Sequence, residues 1–157
     1  MRTIEYTNII DKSKWGDGEW NNEPDKVQWP DSETGLPCLA VRNRVGTWCG
    51  YVGITKEHPA FEKDYNDIDE WPEVHGGLTY ADFCQENNKE HGVCHIVATG
   101  EDDRVWWLGF DCGHCGDLVP SMPELVISVG DDTYKTLDYV KGHCASLAKQ
   151  LQGKDKP

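Results

Sequence analysis

Asp111, His114 and Asp117 recur at intervals of three within the stretch VWWLGFDCGHCGD, Val105 to Asp117. On a helical turn such residues share one face. On a loop, Gly113 and Gly116 let the chain fold until all three converge. Imidazole nitrogen and carboxylate oxygen are ligands for zinc, manganese or iron, so His75, Asp111, His114 and Asp117 form a candidate divalent-metal set. A metal held there would activate a water for hydrolysis. Without a metal, His75 or His114 paired with Asp117 would do general acid–base work. His75 lies in the stretch VHGGLTY, where Gly76 and Gly77 would offer bare backbone N–H groups to an oxyanion or phosphate. Thr79 would add a hydroxyl donor. A plainer account competes on equal terms: His and Asp in a Gly-rich loop can simply tie the loop down by hydrogen bonds.

The elements that must position these residues follow from pattern. Val105 to Phe110 is an apolar, aromatic run and predicts a buried strand, with the polar cluster at its end. Leu36 to Ile54 predicts a hairpin, one strand starting at Cys38, the other at Trp48, with Gly46 supplying the turn. Gly50 and Gly53 inside the second strand point to a bulge or to close approach of a ligand or backbone. Arg42 and Arg44 alternate with apolar neighbours, which would place them together as an anion clamp or on a plain surface. Thr79 is positioned to cap a short helix over 80–86, and Val93 to Ala98 predicts a short strand. Leu125 to Val129 predicts a strand or a connection. Tyr134, Leu137, Val140, Cys144, Leu147 and Leu151 recur at three and four, which predicts an amphipathic helix over 131–152, capped by Asp131, Asp132 or Thr133 and ended by Gly153. Residues 1–34, broken by Gly and Pro, predict an irregular segment pinned by Trp15, Trp20 and Trp29. Its acidic residues Asp17, Glu19, Glu23 and Asp25 could face a ligand, but read rather as a solvated surface. The fold class expected is α+β: a single compact domain over 1–157, mostly antiparallel sheet with a C-terminal amphipathic helix.

Bulk properties narrow the function classes. With 28 acidic against 15 basic residues the formal charge is −13, a field that repels phosphate backbones and argues against polymeric nucleic acid. A small nucleotide in a local pocket remains compatible. No apolar run suits a signal peptide or a membrane span, which predicts a cytoplasmic protein with no membrane partner. Seven cysteines is an odd number and, in that compartment, predicts reduced thiols. Cys112 and Cys115 have the two-residue gap of a zinc ribbon or redox pair, which Cys94-His95 or His143-Cys144 would complete. A second such pair is missing, so the zinc signal is weak. Cys38, Cys49, Cys84 and Cys144 read as small buried hydrophobes.

The motifs EPDKVQW (Glu23–Trp29), TGLPCLAVRN (Thr34–Asn43), CGYVGI followed by HP (Cys49–Pro59), VHGGLTYA (Val74–Ala81) and WWLGFDCGHCGD (Trp106–Asp117) span nearly the whole chain. Together they resemble a family of small proteins of bacteriophages, prophages and actinobacterial genomes. The family pattern reads FDCAHAGD where this chain has Gly113 and Cys115. Asp111, His114 and Asp117 therefore match the motif, as do His58 and His75, while a Cys112–Cys115 metal pair does not. The resemblance implies a phage or bacterial origin, in a bacterial host cytoplasm, and brings no activity with it.

Three functions follow as expectations. The first is a metal-assisted hydrolase acting on a small anionic substrate, with His75, His114 and Asp117 catalytic. The second, suggested by the phage resemblance, is a non-catalytic nucleotide-binding protein, plausibly a homo-oligomer, that sequesters a signal against host defence. It would use Gly76, Gly77, Thr79 and His58, with Arg42, Arg44 or Arg104 offsetting the acidity and Trp48, Tyr51 or Trp106 for stacking. The third is a protein-interaction module in which the motif is structural.

Overall fold

The computed structural model describes residues 1–68, 72–86, 90–122 and 132–153. Six strands form one sheet: β1 (Ile4–Tyr6), β2 (Lys26–Pro30), β3 (Pro37–Arg42), β4 (Trp48–Ile54), β5 (Tyr80–Asp82) and β6 (Trp106–Asp111), in the order β1-β2-β3-β4-β6-β5. Every pairing is antiparallel. The helix α1 (Leu137–Gln152) packs on β3 and β4, which makes the chain α+β as its patterning implies. Among the described residues, no helix is long and apolar enough to cross a membrane.

Alternation along the strands sorts the core into two faces. Cys38, Ala40, Trp48, Val52, Ile54, Leu108 and Phe110 point to the α1 side, where Leu137, Val140, Cys144, Leu147 and Leu151 meet them. Leu39, Val41, Tyr51 and Trp107 point the other way and are covered by Val93 and Val105. Gly50 is the closest approach on the helix side. A Cβ there would run into the Phe110 ring and come within 2.9 Å of Cys144 Sγ. Its role is thus to admit a ring from β6 rather than a bulge or a ligand, and Gly53 likewise makes room for Val105.

Several expectations need correction. Residues 1–34 are not irregular throughout: β1 pairs with β2, and β2 with β3. Trp15 and Trp20 are buried, as pinning requires, but Asp25 is buried too. It accepts from the backbone N–H groups of Ile9 and Ile10 and from Arg42 Nε. The predicted helix after Thr79 is the edge strand β5, because Tyr80–Asp82 finds open backbone groups on β6. Val93 to Ala98 forms no strand. Side chains of β2 hold it instead: Lys26 Nζ donates to Gly92 O, and the Gln28 amide both accepts from Ile96 N–H and donates to Ile96 O. Burial draws the Lys26 ammonium down to a pKa of about 8. The helix begins at Leu137, with Thr136 accepting from Tyr139 N–H as its cap, rather than at 131. Leu125 to Val129, Asp131 and part of the acidic loop at 69–71 lie outside the described residues. Cys84 and Cys94 are joined in a disulfide, so not all seven thiols are reduced.

Arg42 ends β3 with no exposed side-chain surface. It donates to Asp25 Oδ1 (3.1 Å), Glu23 Oε1 (3.2 Å), Tyr134 Oη (2.9 Å) and the carbonyls of Gly46 and Pro24. Arg42→Ala would take from buried Asp25 one of its two cations, the other being Lys12 at 2.6 Å, and would strip Glu23 and Tyr134 of the same partner, a change that costs about 3–5 kcal/mol. Exposed Arg44, replaced by Ala, should stay within about 0.5 kcal/mol of the parent. Urea unfolding of both variants checks the contrast, and equal losses would refute it.

Candidate functional site

The end of β6 turns sharply into a loop that is tied to itself. Asp111 Oδ1 accepts from Gly113 N–H (3.0 Å), and Asp111 Oδ2 accepts from the Thr79 hydroxyl (3.2 Å). Asp117 N–H donates back to His114 O (3.0 Å), closing a turn. Leu118 N–H then donates to Thr133 O, and Thr133 N–H to Gly116 O, which joins the loop to the approach of α1. The outcome is that Asp117 sits buried among three donors. Its Oδ2 takes His75 Nε2 at 2.7 Å and His114 N–H at 3.0 Å. Its Oδ1 lies 3.3 Å from Lys135 Nζ.

His75 arrives from the loop before β5 and is held at three points. Nε2 meets Asp117, Nδ1 meets the Tyr139 hydroxyl at 2.7 Å, and its backbone N–H donates to His143 Nδ1 at 3.2 Å. With Asp117 accepting from Nε2–H, Nδ1 is left as the acceptor for Tyr139. Tyr139 and His143 stand one turn apart on α1, their rings 4.7 Å apart. Burial, and then the neighbouring His75, lower the pKa of His143. Burial also raises that of Tyr139, so the phenol stays protonated near neutrality. These groups line an open groove of about 1040 Å³, which Glu73, Ser146 and Lys149 complete.

The expected site residues divide sharply. His75, His114, Asp111 and Asp117 do come together, but as two histidine–carboxylate pairs. His114 Nε2 is 3.2 Å from Asp111 Oδ1, out of hydrogen-bond alignment and shielded from solvent. Among the described residues, no three of these four place their ligand atoms within 4.8 Å of one another. As placed, they form two histidine–carboxylate pairs rather than one three-ligand cluster. Gly77 N–H is spent on Val74 O, and Gly76 lies against the His114 ring, so the glycine pair forms a turn rather than an anion cradle. Thr79 secures Asp111. Arg42 is consumed in the core, while Arg44 is exposed in the following turn, and the two form no clamp. Trp48 is fully buried beneath the Arg42 guanidinium, which lies 4.4 Å from the ring centre, and cannot stack on a base. His58 is buried as well, bridging Leu151 O and Ala60 N–H. Cys112 is buried and Cys115 exposed, which separates that pair.

Tyr139 and Lys135 are participants that motif reasoning missed, and His143 entered it only as a candidate zinc ligand beside Cys144. Tyr139 and His143 are four apart beside the apolar stripe, the spacing of one helix face. That signal was present, but nothing in it names the loop they face. No protein-family model matches this sequence, and neither a curated protein nor a solved structure does.

Gly76 has φ +69° and no space for a Cβ, which would strike His114 Cδ2 and Nε2. Gly76→Ala should cost about 1–3 kcal/mol through backbone strain alone, and chemical denaturation measures it. His143 supplies a pH test. Its folded pKa lies below the unfolded value of 6.5, so its stabilisation is complete above 6.5 and is lost as pH falls through the folded value. His143→Gln, which keeps an acceptor for His75 N–H but does not titrate, should flatten the acid side of the stability profile. His95, lowered mainly by burial, supplies a slope of the same sign that the variant retains. An unchanged profile would show that His143 is not held neutral.

Proposed function

We propose that the chain is a hydrolase or related acid–base enzyme of a bacterial or phage-encoded cytoplasmic system, acting on a small anionic substrate in the groove beside α1. The observation that carries this reading is the line Asp117–His75–Tyr139, with contacts of 2.7 Å on either side of one imidazole. A buried carboxylate fixes the tautomer and orientation of the ring and stabilises the imidazolium when it forms. In the acid direction, the imidazolium passes its Nδ1 proton to the Tyr139 oxygen as the phenol delivers its own to a leaving group. In the base direction, the same two transfers run in reverse. Tyr139 is exposed at the groove, so its oxygen is the atom a substrate would meet. Lys149 supplies a cation for an anionic group on a groove wall it shares with the acidic Glu73 and Asp138. His114 is a positioning residue in this scheme: its N–H holds Asp117, and its ring covers Gly76.

The nucleotide-sequestering alternative loses four of the residues it drew on, since Arg42, Trp48, Tyr51 and His58 are buried. The purely structural alternative predicts that the Asp117–His75–Tyr139 line matters only to stability.

A panel of p-nitrophenyl phosphate, p-nitrophenyl acetate and cyclic and linear nucleotides tests the three. Turnover that falls roughly 10²–10⁴-fold in His75→Gln, with the fold retained by circular dichroism, is the expected result. Tyr139→Phe should lower kcat more than it raises KM. A nucleotide retained intact in stoichiometric amount would replace this reading with sequestration. Turnover that survives His75→Gln but requires added zinc or manganese would return the chemistry to a metal. Variants that lower only the melting temperature would leave a structural motif.

A further inference from the structure

We propose that Cys84, Cys94 and His95, once their disulfide is reduced, form a site for a soft divalent cation, zinc above all. The site lies on the sheet face opposite α1 and is separate from the His75 groove. The ligand atoms of these three residues all lie within 4.8 Å of one another, and no other group of three does so among the described residues.

The geometry is already close to what zinc requires. His95 is buried, its ring set edge-on against Trp107 with centroids 5.2 Å apart. That packing aims Nδ1 at Cys84 Sγ, 3.8 Å away. Zinc–sulfur and zinc–nitrogen bonds in a tetrahedron put S and N about 3.6 Å apart, so this edge needs little adjustment. The two sulfurs must part to about 3.8 Å, the separation set by two tetrahedral zinc–sulfur bonds. Cys84 is only half-buried and borders a cavity of about 740 Å³, which gives its side chain room to turn. Glu86 and Asp103 line the same cavity, and it opens the fourth coordination position to water. The competing thiols are poorly placed. Burial pushes up the pKa values of Cys38, Cys49, Cys112 and Cys144, and Cys115 is exposed at the surface.

The chemistry balances with a dithiol as reductant. The dithiol gives two electrons and two protons to the Cys84–Cys94 bond and becomes a cyclic disulfide. The cation then displaces both thiol protons to solvent as two metal–sulfur bonds form. A disulfide oxidant reverses this by taking two electrons from the thiolates, re-forming the bond between them and expelling the cation. Redox state thereby sets occupancy.

The test titrates the full chain, reduced with dithiothreitol and desalted without air, with Co²⁺ alone. The expected result is a thiolate-to-cobalt charge-transfer band with visible tetrahedral bands, saturating at one cation per chain and bleached by Zn²⁺. The oxidised chain should give neither. C115S should keep the spectrum and C94S lose it. Because loss of Cys94 can itself unfold the chain, the unmodified protein carries a second readout: Zn²⁺ should shield Cys84 and Cys94 from iodoacetamide, as mapped by peptide mass spectrometry. No cobalt spectrum in the reduced chain, a spectrum that survives C94S, or shielding at Cys112 and Cys115 instead would overturn the proposal.

Discussion

A guanidinium removed from water must have every N–H satisfied, and Arg42 meets that demand with five bonds. Its partners come from four separate parts of the chain: the approach to β2, the β3–β4 turn, the face of Trp48 and the segment before α1. Glu23 extends the network. It takes Arg42 on Oε1, together with Trp48 Nε1 and the Tyr134 hydroxyl, and Leu137 N–H on Oε2 at 2.6 Å. An N-terminal carboxylate thus occupies the start of the C-terminal helix, where the helix dipole favours negative charge. Hydrophobic contacts between α1 and the sheet are non-directional and would tolerate a slide along the axis. The charged network does not, because a shift would strip partners from Arg42 and Asp25, whose side chains have no access to water.

This anchoring has a direct consequence at the other side of α1. Tyr139 and His143 reach His75 because Leu137 is fixed two residues before Tyr139. Asp117 reaches His75 because the loop after β6 is latched to Thr133 just ahead of the same helix. The site is therefore made where three irregular segments meet a helix of fixed register. Each segment has little structure of its own, and Asp117, buried with three donors around it, is the common point that holds them. A carboxylate so placed must remain paired, which is as much a packing requirement as a chemical one.

The opposite face of the sheet is held by different means. Lys26 and Gln28 cross from β2 to the carbonyls and amides of 92–96, and a disulfide closes the loop from Cys84 to Cys94. Side chains substitute there for a backbone ladder. That keeps His95 buried against Trp107 while leaving a cavity beside the sulfurs. The two faces thus place their histidines in unlike settings, one in a hydrogen-bonded line and one beside a disulfide.

The sequence by itself determined the central hairpin, the β6 strand and the helix, because each rests on local periodicity that survives in any compact state. It also singled out Asp111, His114, Asp117 and His75, since their types and spacing are visible without a fold. What it misjudged depends on partners far along the chain. Arg42 and Asp25 look like surface charges in sequence, and only the tertiary structure buries and pairs them. Tyr80 to Asp82 has the composition of a helix start, yet an open strand edge overrides so short a preference. The spacing of three between Asp111, His114 and Asp117 suggested one convergent set. The backbone instead folds His114 beneath Gly76 and hands Asp117 to His75, because a loop's course is settled by its hydrogen bonds to distant elements and not by its own residue intervals.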